Sequence, residues 1–248
     1  MAVILTNQQL IDFPVNRRVR YGLFNAATVL EMPDRAIAAG VQFYADDCGN
    51  FIADYNQTCA DSPTKTATEG TELVGTDPYW LVNRVRCGTV GRSAQEIRAA
   101  ARGRLDAMEQ WAVENRLWNG IVAQPGVLDL TSNVGTVTVT PLAPGAGAAI
   151  SALENAFYQV NGYVGTIPVN DRAEGALEYA GFLNPEAGVL RTRKGSAVSL
   201  GSGYGITGPA AAAPAAGFVW AFMTGYTAVW RSTDAQIPQP DPQRVMDR

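Results

Sequence analysis

A proline-free run at residues 93–120, SAQEIRAAARGRLDAMEQWAVENRLWNG, constrains the fold more than any other stretch. Ser93 followed three residues later by Glu96 has the form of a capping box: the hydroxyl takes a free amide of the first turn and the carboxylate reaches back. Gly120 after Asn119 supplies the left-handed stop that ends many helices. Between these ends Ile97, Ala101, Leu105, Met108, Ala112 and Trp118 recur at helical spacing, with Trp111 at the edge of the stripe. Arg98, Arg102, Glu109 and Arg116 lie off it. The spacing predicts one helix of about 25 residues, roughly 37 Å long at 1.5 Å per residue. Globular helices average three to four turns. Such a run fits either a core helix of an α/β enzyme or the backbone element of a flat, elongated subunit.

The rest of the composition narrows the function classes. An apolar content of 47% in 248 residues supplies a real core. A net charge of −4 and a pI near 4.9 argue against a broad nucleic-acid-binding face. Arginine outnumbers lysine 17 to 2, the lysines being Lys65 and Lys194; its planar fork suits fixed interfaces. No apolar run approaches the ~20 residues that span a bilayer, and MAVILTNQQLIDF has no basic region before its short apolar run, unlike a secretory signal. Cys48, Cys59 and Cys87 cannot all pair and read as reduced thiols of an intracellular protein. The chain contains no histidine, which removes Ser-His-Asp and Cys-His catalysis, His metal sites and imidazole bases together.

Taken in order, residues 1–35 show no sustained period. Asn16, Arg17, Arg18, Arg20 and Tyr21 form a basic-aromatic patch, either a solvated turn or an extended arm whose arginines pair with carboxylates of another subunit. Residues 23–31 predict a short helix stopped before Pro33. GVQFYAD and NFIADYNQT read as strands around a turn cluster at 46–50, and the polar segment 60–70 has little to bury. Residues 79–87 read as a further strand, with Leu81, Asn83, Val85 and Cys87 on one face. Strand regions joined by a polar tip describe a long protruding hairpin, which needs a partner surface. VLDL and VGTVTVTPL predict short strands, and residues 148–161 a helix with Ile150, Leu153, Phe157 and Val160 on one side. Residues 165–170 predict a buried strand, Asp171 to Glu174 a second capping box, and Gly181 the end of the helix it opens, an α/β unit. SAVSLGSGYGITG is glycine-rich and PAAAAPAAG a low-complexity connector; FVWAFMTGYTAVWR holds two strand halves around Thr224 and Gly225. The proline-rich tail IPQPDPQRVMDR should be extended.

No constellation makes an active site. Gly203, Gly205 and Gly208 match G-x-G-x-x-G, but Pro209 follows where a helix should start, and no acidic residue stands ~20 positions on. Asp46, Asp47, Asn50 and Asp54 lack the bidentate glutamate of a calcium loop. Cys48 and Cys59 have no second pair for zinc. Glu109 and Glu114 fall on different helix faces and cannot share a proton. The expectation is no catalytic residue, no cofactor and no metal.

The order of arm, polar-tipped hairpin, long helix, α/β unit and aromatic return resembles the major capsid proteins of tailed bacteriophages, with the Hong Kong 97 fold. RGRLDAMEQWAVENRLWNG looks like the spine helix of actinobacteriophage head proteins, and FVWAFMTGYTAVWRS like their late strand. The resemblance implies an α+β, Hong Kong 97-like capsid fold. It comprises an N-terminal arm at 1–35, an extended β-hairpin loop at 36–92 and a peripheral domain at 93–145 built on the spine helix 93–120. An axial domain follows at 146–216, then a return to the peripheral domain with the C-terminal tail at 217–248. It implies a non-enzymatic subunit of the virion, assembled in the host cytoplasm as hexamers and pentamers. Scaffold, portal and decoration proteins would be its further partners, packaged DNA would touch it only non-specifically, and it would contact no membrane. Expected inter-subunit contacts are Arg17, Arg18, Arg20, Lys65, Glu69, Arg98 and Arg102. The chain is short for the family, leaving no room for a long N-terminal scaffolding segment. Some members crosslink a loop lysine to a late asparagine; Lys65 lies in the expected tip, but no asparagine follows Asn184, so no crosslink is expected. Another phage head or tail component, an encapsulin-like shell protein, and a histidine-free α/β enzyme or nucleotide binder using the glycine loop at 201–208 are the alternatives.

Overall fold

The computed structural model describes residues 19–33, 41–45, 72–76, 81, 93–120, 129–132 and 135–232. They form a mixed α and β chain, with helices α1 (Leu23–Ala26), α2 (Ala94–Asn119), α3 (Ala146–Asn161) and α4 (Glu174–Tyr179). The strands are β1 (Thr28–Glu31), β2 (Val41–Ala45), β3 (Glu72–Thr76), β4 (Thr166–Asn170), β5 (Asn184–Glu186), β6 (Val189–Arg191), β7 (Ala197–Gly201) and β8 (Ala228–Arg231).

Helix α2 runs unbroken for 26 residues. Its capping box forms as the sequence predicts: the Glu96 amide donates to the Ser93 hydroxyl (3.2 Å), and Glu96 accepts the Ser93 amide (2.7 Å). Gly120, at φ +70°, closes it. The buried face differs from the apolar stripe. Met108 is 55% exposed, whereas Gln110, Glu114, Arg116 and Trp118 are buried. The reason lies in the partners: the surface that meets this half of the helix offers backbone amides and carbonyls, which polar side chains satisfy.

The main sheet has order β4-β7-β6-β5, with β4 parallel to β7 and the other pairs antiparallel. Every residue of β4 and β7 is buried, as befits a parallel pair covered on both faces. Ile150 of α3 and Leu177 of α4 pack with Ile167, Val169, Val198 and Leu200 into one core. On the other edge of β4, residues 221–224 run antiparallel through bridges at Val169–Ala221 and Thr166–Thr224. A β-carbon at Gly165 would overlap the Thr224 carbonyl, so only glycine permits that approach.

Several local expectations are corrected. Residues 23–31 hold a single helical turn and then β1, which pairs in parallel with β8. The turn before α4 is capped by Asn170, whose Oδ1 accepts the Arg172 amide (3.1 Å), and not by Asp171. Helix α3 turns Glu154 inward beside Ile150 and leaves Val160 79% exposed. Residues 135–141 form no regular strand, and Val137 is 80% exposed. Residues 129–132 form a turn around Asp129, whose Oδ1 accepts the Thr131 and Ser132 amides (3.0 and 2.7 Å). Of the two expected halves of 218–231 only the second is a regular strand. β2 pairs antiparallel with β3, a strand not expected at 72–76, with Val41 opposite Thr76 and Ala45 opposite Glu72; the expected strand at 50–58 and all but Leu81 of 79–87 lie outside the described residues.

Candidate functional site

The described parts converge on Glu114, in the C-terminal half of α2. Its side chain is 1% exposed, yet both oxygens are engaged: Oε1 accepts the Leu23 amide and Oε2 the Gly203 amide, each at 3.1 Å. One turn earlier, Gln110 donates through Nε2 to the Val19 carbonyl (3.4 Å). The helix thus grips the N-terminal segment and the loop after β7 with neighbouring side chains of one face. Tyr21 takes a left-handed φ of 64°, held by the Leu200 amide donating to its carbonyl at 2.8 Å. Burial pushes the Glu114 carboxyl above its ordinary value. The two backbone amides and Gln110 oppose that rise, and the charge of Asp171 adds to it.

This geometry explains the glycine-rich loop. A β-carbon at Gly201 would overlap the Glu114 carboxylate, one at Gly203 the Trp111 carbonyl, and one at Gly22 the Gln110 amide. Gly205 faces the Trp118 ring, and Gly208 the Trp220 ring. All of these glycines but Gly208 let backbone lie flush on α2. The loop does hold an anion through a backbone N–H, as a phosphate loop would, but that anion is the chain's own Glu114. Gly201→Ala is expected to cost about 1–3 kcal/mol by overpacking; a denaturation midpoint equal to the parent's would show that the loop can lift away.

Beneath the clamp, Trp118, Tyr204, Phe222 and Leu23 form a second core. Trp118 meets Phe222 edge-on (centroids 4.8 Å, 86°) and Tyr204 at a tilt (5.6 Å, 43°). The Tyr204 hydroxyl and the Ser199 hydroxyl lie 2.6 Å apart. Burial raises the Tyr204 phenol far above its ordinary value, against the Ser199 hydrogen bond. A third attachment joins β8 to α2: Arg231 Nε donates to Glu109 at 2.6 Å, and its NH2 approaches Asp106 at 3.4 Å. Glu109 and Glu114 therefore serve different partners on different faces.

Of the expected contact residues, Arg20, Arg98 and Arg102 are exposed, the latter two one turn apart on the N-terminal half of α2. No described contact joins them. Arg17, Arg18, Lys65 and Glu69 lie outside the described residues. Sequence reasoning missed Glu114, Gln110 and Glu154; a polar residue in register with Trp118, at i−4 and i−8, was the available signal.

Among the described residues, no three or more His, Cys, Asp or Glu side chains group to hold a metal ion, and no helix is long and apolar enough to cross a membrane. Comparison with protein-family models, with curated proteins and with solved structures finds no match to this chain.

Proposed function

We propose that the chain is a structural subunit that self-assembles into the icosahedral head shell of a tailed bacteriophage, with a Hong Kong 97-like arrangement of arm, extended loop, spine helix, peripheral and axial domains. The observation that carries this reading is the one-sided support of α2. Its C-terminal half is clamped into the core, while no residue from 95 to 109 is buried. A helix this long keeps its outer apolar positions, Ile97, Leu105 and Met108, for a surface that a neighbouring subunit supplies. Val29, Leu30, Val137, Leu142 and Phe218 are further large apolar side chains left open to solvent.

In this reading β2 and β3 are the base of the extended loop, α2 is the spine, and the sheet with α3 and α4 is the axial domain. Six-fold and five-fold rings arise from heterologous contacts that close. The acidic balance keeps the wall from gripping packaged DNA. Catalysis has no part in the proposal, and the glycine loop is committed to Glu114.

Negative-stain electron microscopy of the expressed chain, alone and with the products of neighbouring genes, tests the proposal. Closed polyhedral particles are expected, and on a denaturing gel they should run as intact monomers, since a loop-to-late-asparagine crosslink has no acceptor. A monodisperse monomer that assembles with no partner would overturn the reading.

A further inference from the structure

Glu154 on α3 is 3% exposed and touches none of the machinery above. Its Oε1 accepts two hydroxyls, from Thr192 and from Ser196 (2.7 Å for Ser196). Its Oε2 accepts no hydrogen bond from any described residue. Glu154 lines a cavity of about 320 Å³, walled by Tyr158, Tyr163, Val164 and Met223, with the exposed Lys194 at the rim. We propose that this cavity is a binding site for a guanidinium group, supplied either by an arginine side chain of a second copy of this chain or by a free arginine-like molecule.

A largely buried carboxylate whose second oxygen faces the cavity without a donor among the described residues can accept a charged hydrogen bond there, and a charged hydrogen bond is the strong kind. The walls favour guanidinium over ammonium. A guanidinium is weakly hydrated and stacks on aromatic faces, whereas an ammonium carries its water. Tyr163 is held ready for such a contact, since its ring stacks parallel on Tyr226 (5.3 Å, 5°) and meets Phe157 edge-on (5.5 Å, 84°). The volume lies at the small end of ligand pockets, where a side chain fits and a cofactor does not. Lys194 makes no ion pair with Glu154 among the described residues, and its like charge at the rim is a cost that the Glu154 contact must offset. The chain has the matching donors in excess: 17 of its 19 cationic side chains are arginine. Among them Arg20, Arg98, Arg102, Arg172 and Arg193 are exposed and form no ion pair among the described residues.

The site stands independently of the shell proposal, which micrographs judge by particle formation. N-acetyl-arginine amide and its uncharged isostere N-acetyl-citrulline amide are titrated into the full chain by calorimetry at matched ionic strength, with assembled fraction followed by sedimentation. The variant is Glu154→Gln, whose carbonyl keeps accepting from Thr192 and Ser196 while its NH2 faces the cavity; an unchanged melting temperature checks the fold. Where the guanidinium is free, the arginine probe binds the parent at least tenfold more tightly than the citrulline probe, E154Q loses that difference, and assembly is untouched. Where it comes from a second copy, E154Q and excess arginine probe both lower the assembled fraction. Equal binding of the two probes, or parent-like binding by E154Q, combined with assembly indifferent to E154Q, overturns the proposal.

Discussion

Trp118→Ala is expected to lower stability by about 3–5 kcal/mol, the range for truncating a fully buried aromatic side chain. Trp118 is 0% exposed and belongs to the second core, where its ring meets Tyr204 and Phe222. Removing the indole deletes the edge-on contact with Phe222 and the tilted one with Tyr204, each worth more than its area alone. It also deletes the Nε1–H donated to the Thr207 carbonyl at 3.1 Å, leaving that acceptor without its partner. The site has little room to relax, because Gly205 already brings backbone against the ring and the helix axis cannot shift without breaking the Glu114 bonds. A loss of this size is a large share of the 5–15 kcal/mol that holds a typical domain folded. Urea denaturation followed by near-ultraviolet circular dichroism measures it. Trp111→Ala is the internal control: that ring is 44% exposed, and its removal should cost no more than about 1 kcal/mol. Equal losses for the two variants would mean that the aromatic cluster does not anchor the helix.

Some local signals in the sequence matched the structure because the partner of a group was near in the chain, although the box expected at Asp171 to Glu174 is replaced by an Asn170 cap. Ser93 and Glu96 are three residues apart, so their mutual capping was legible, as was the glycine stop at 120. The buried strand at 166–170 was expected at 165–170, and the late strand at 228–231, which ends on Arg231, was expected from its aromatic and apolar residues. Periodicity failed where the partner is remote. The stripe through Met108 pointed the helix by hydrophobicity alone, whereas the buried face is set by amides at Leu23 and Gly203, about 90 residues away on either side. The alternation at 136–140 suggested a strand, but those residues form none. The short hairpin of β5 and β6 escaped because its turn rests on Ala187 and Gly188, both at positive φ, where alanine gives no warning. The purpose of the glycine loop was hidden until the helix lay against it.

Glu114→Ala carries the second large effect, an expected loss of about 3–5 kcal/mol, because it orphans two buried amides, one in the N-terminal segment and one in the glycine loop. Glu114→Gln should cost less, about 1–3 kcal/mol: its carbonyl satisfies one amide, and its NH2 faces the other donor to donor. The pH dependence separates this role from simple packing. The folded chain holds the Glu114 proton more tightly than the unfolded chain, since burial raises the carboxyl above its ordinary 4.5. Folding therefore takes up a proton there, and the stability linked to that uptake is full below the unfolded value and lost as pH rises through the raised one. Glutamine does not titrate. The stability gap between parent and E114Q should then be widest in mild acid and narrow toward neutrality, read from urea midpoints at several pH values. A gap that widens with pH would mean that the two amides outweigh burial and hold the folded carboxyl below 4.5. Either slope leaves the clamp in place, but a loss in E114A no larger than in E114Q would deny it: the N-terminal segment and the glycine loop would then stay seated on the helix without the carboxylate that joins them.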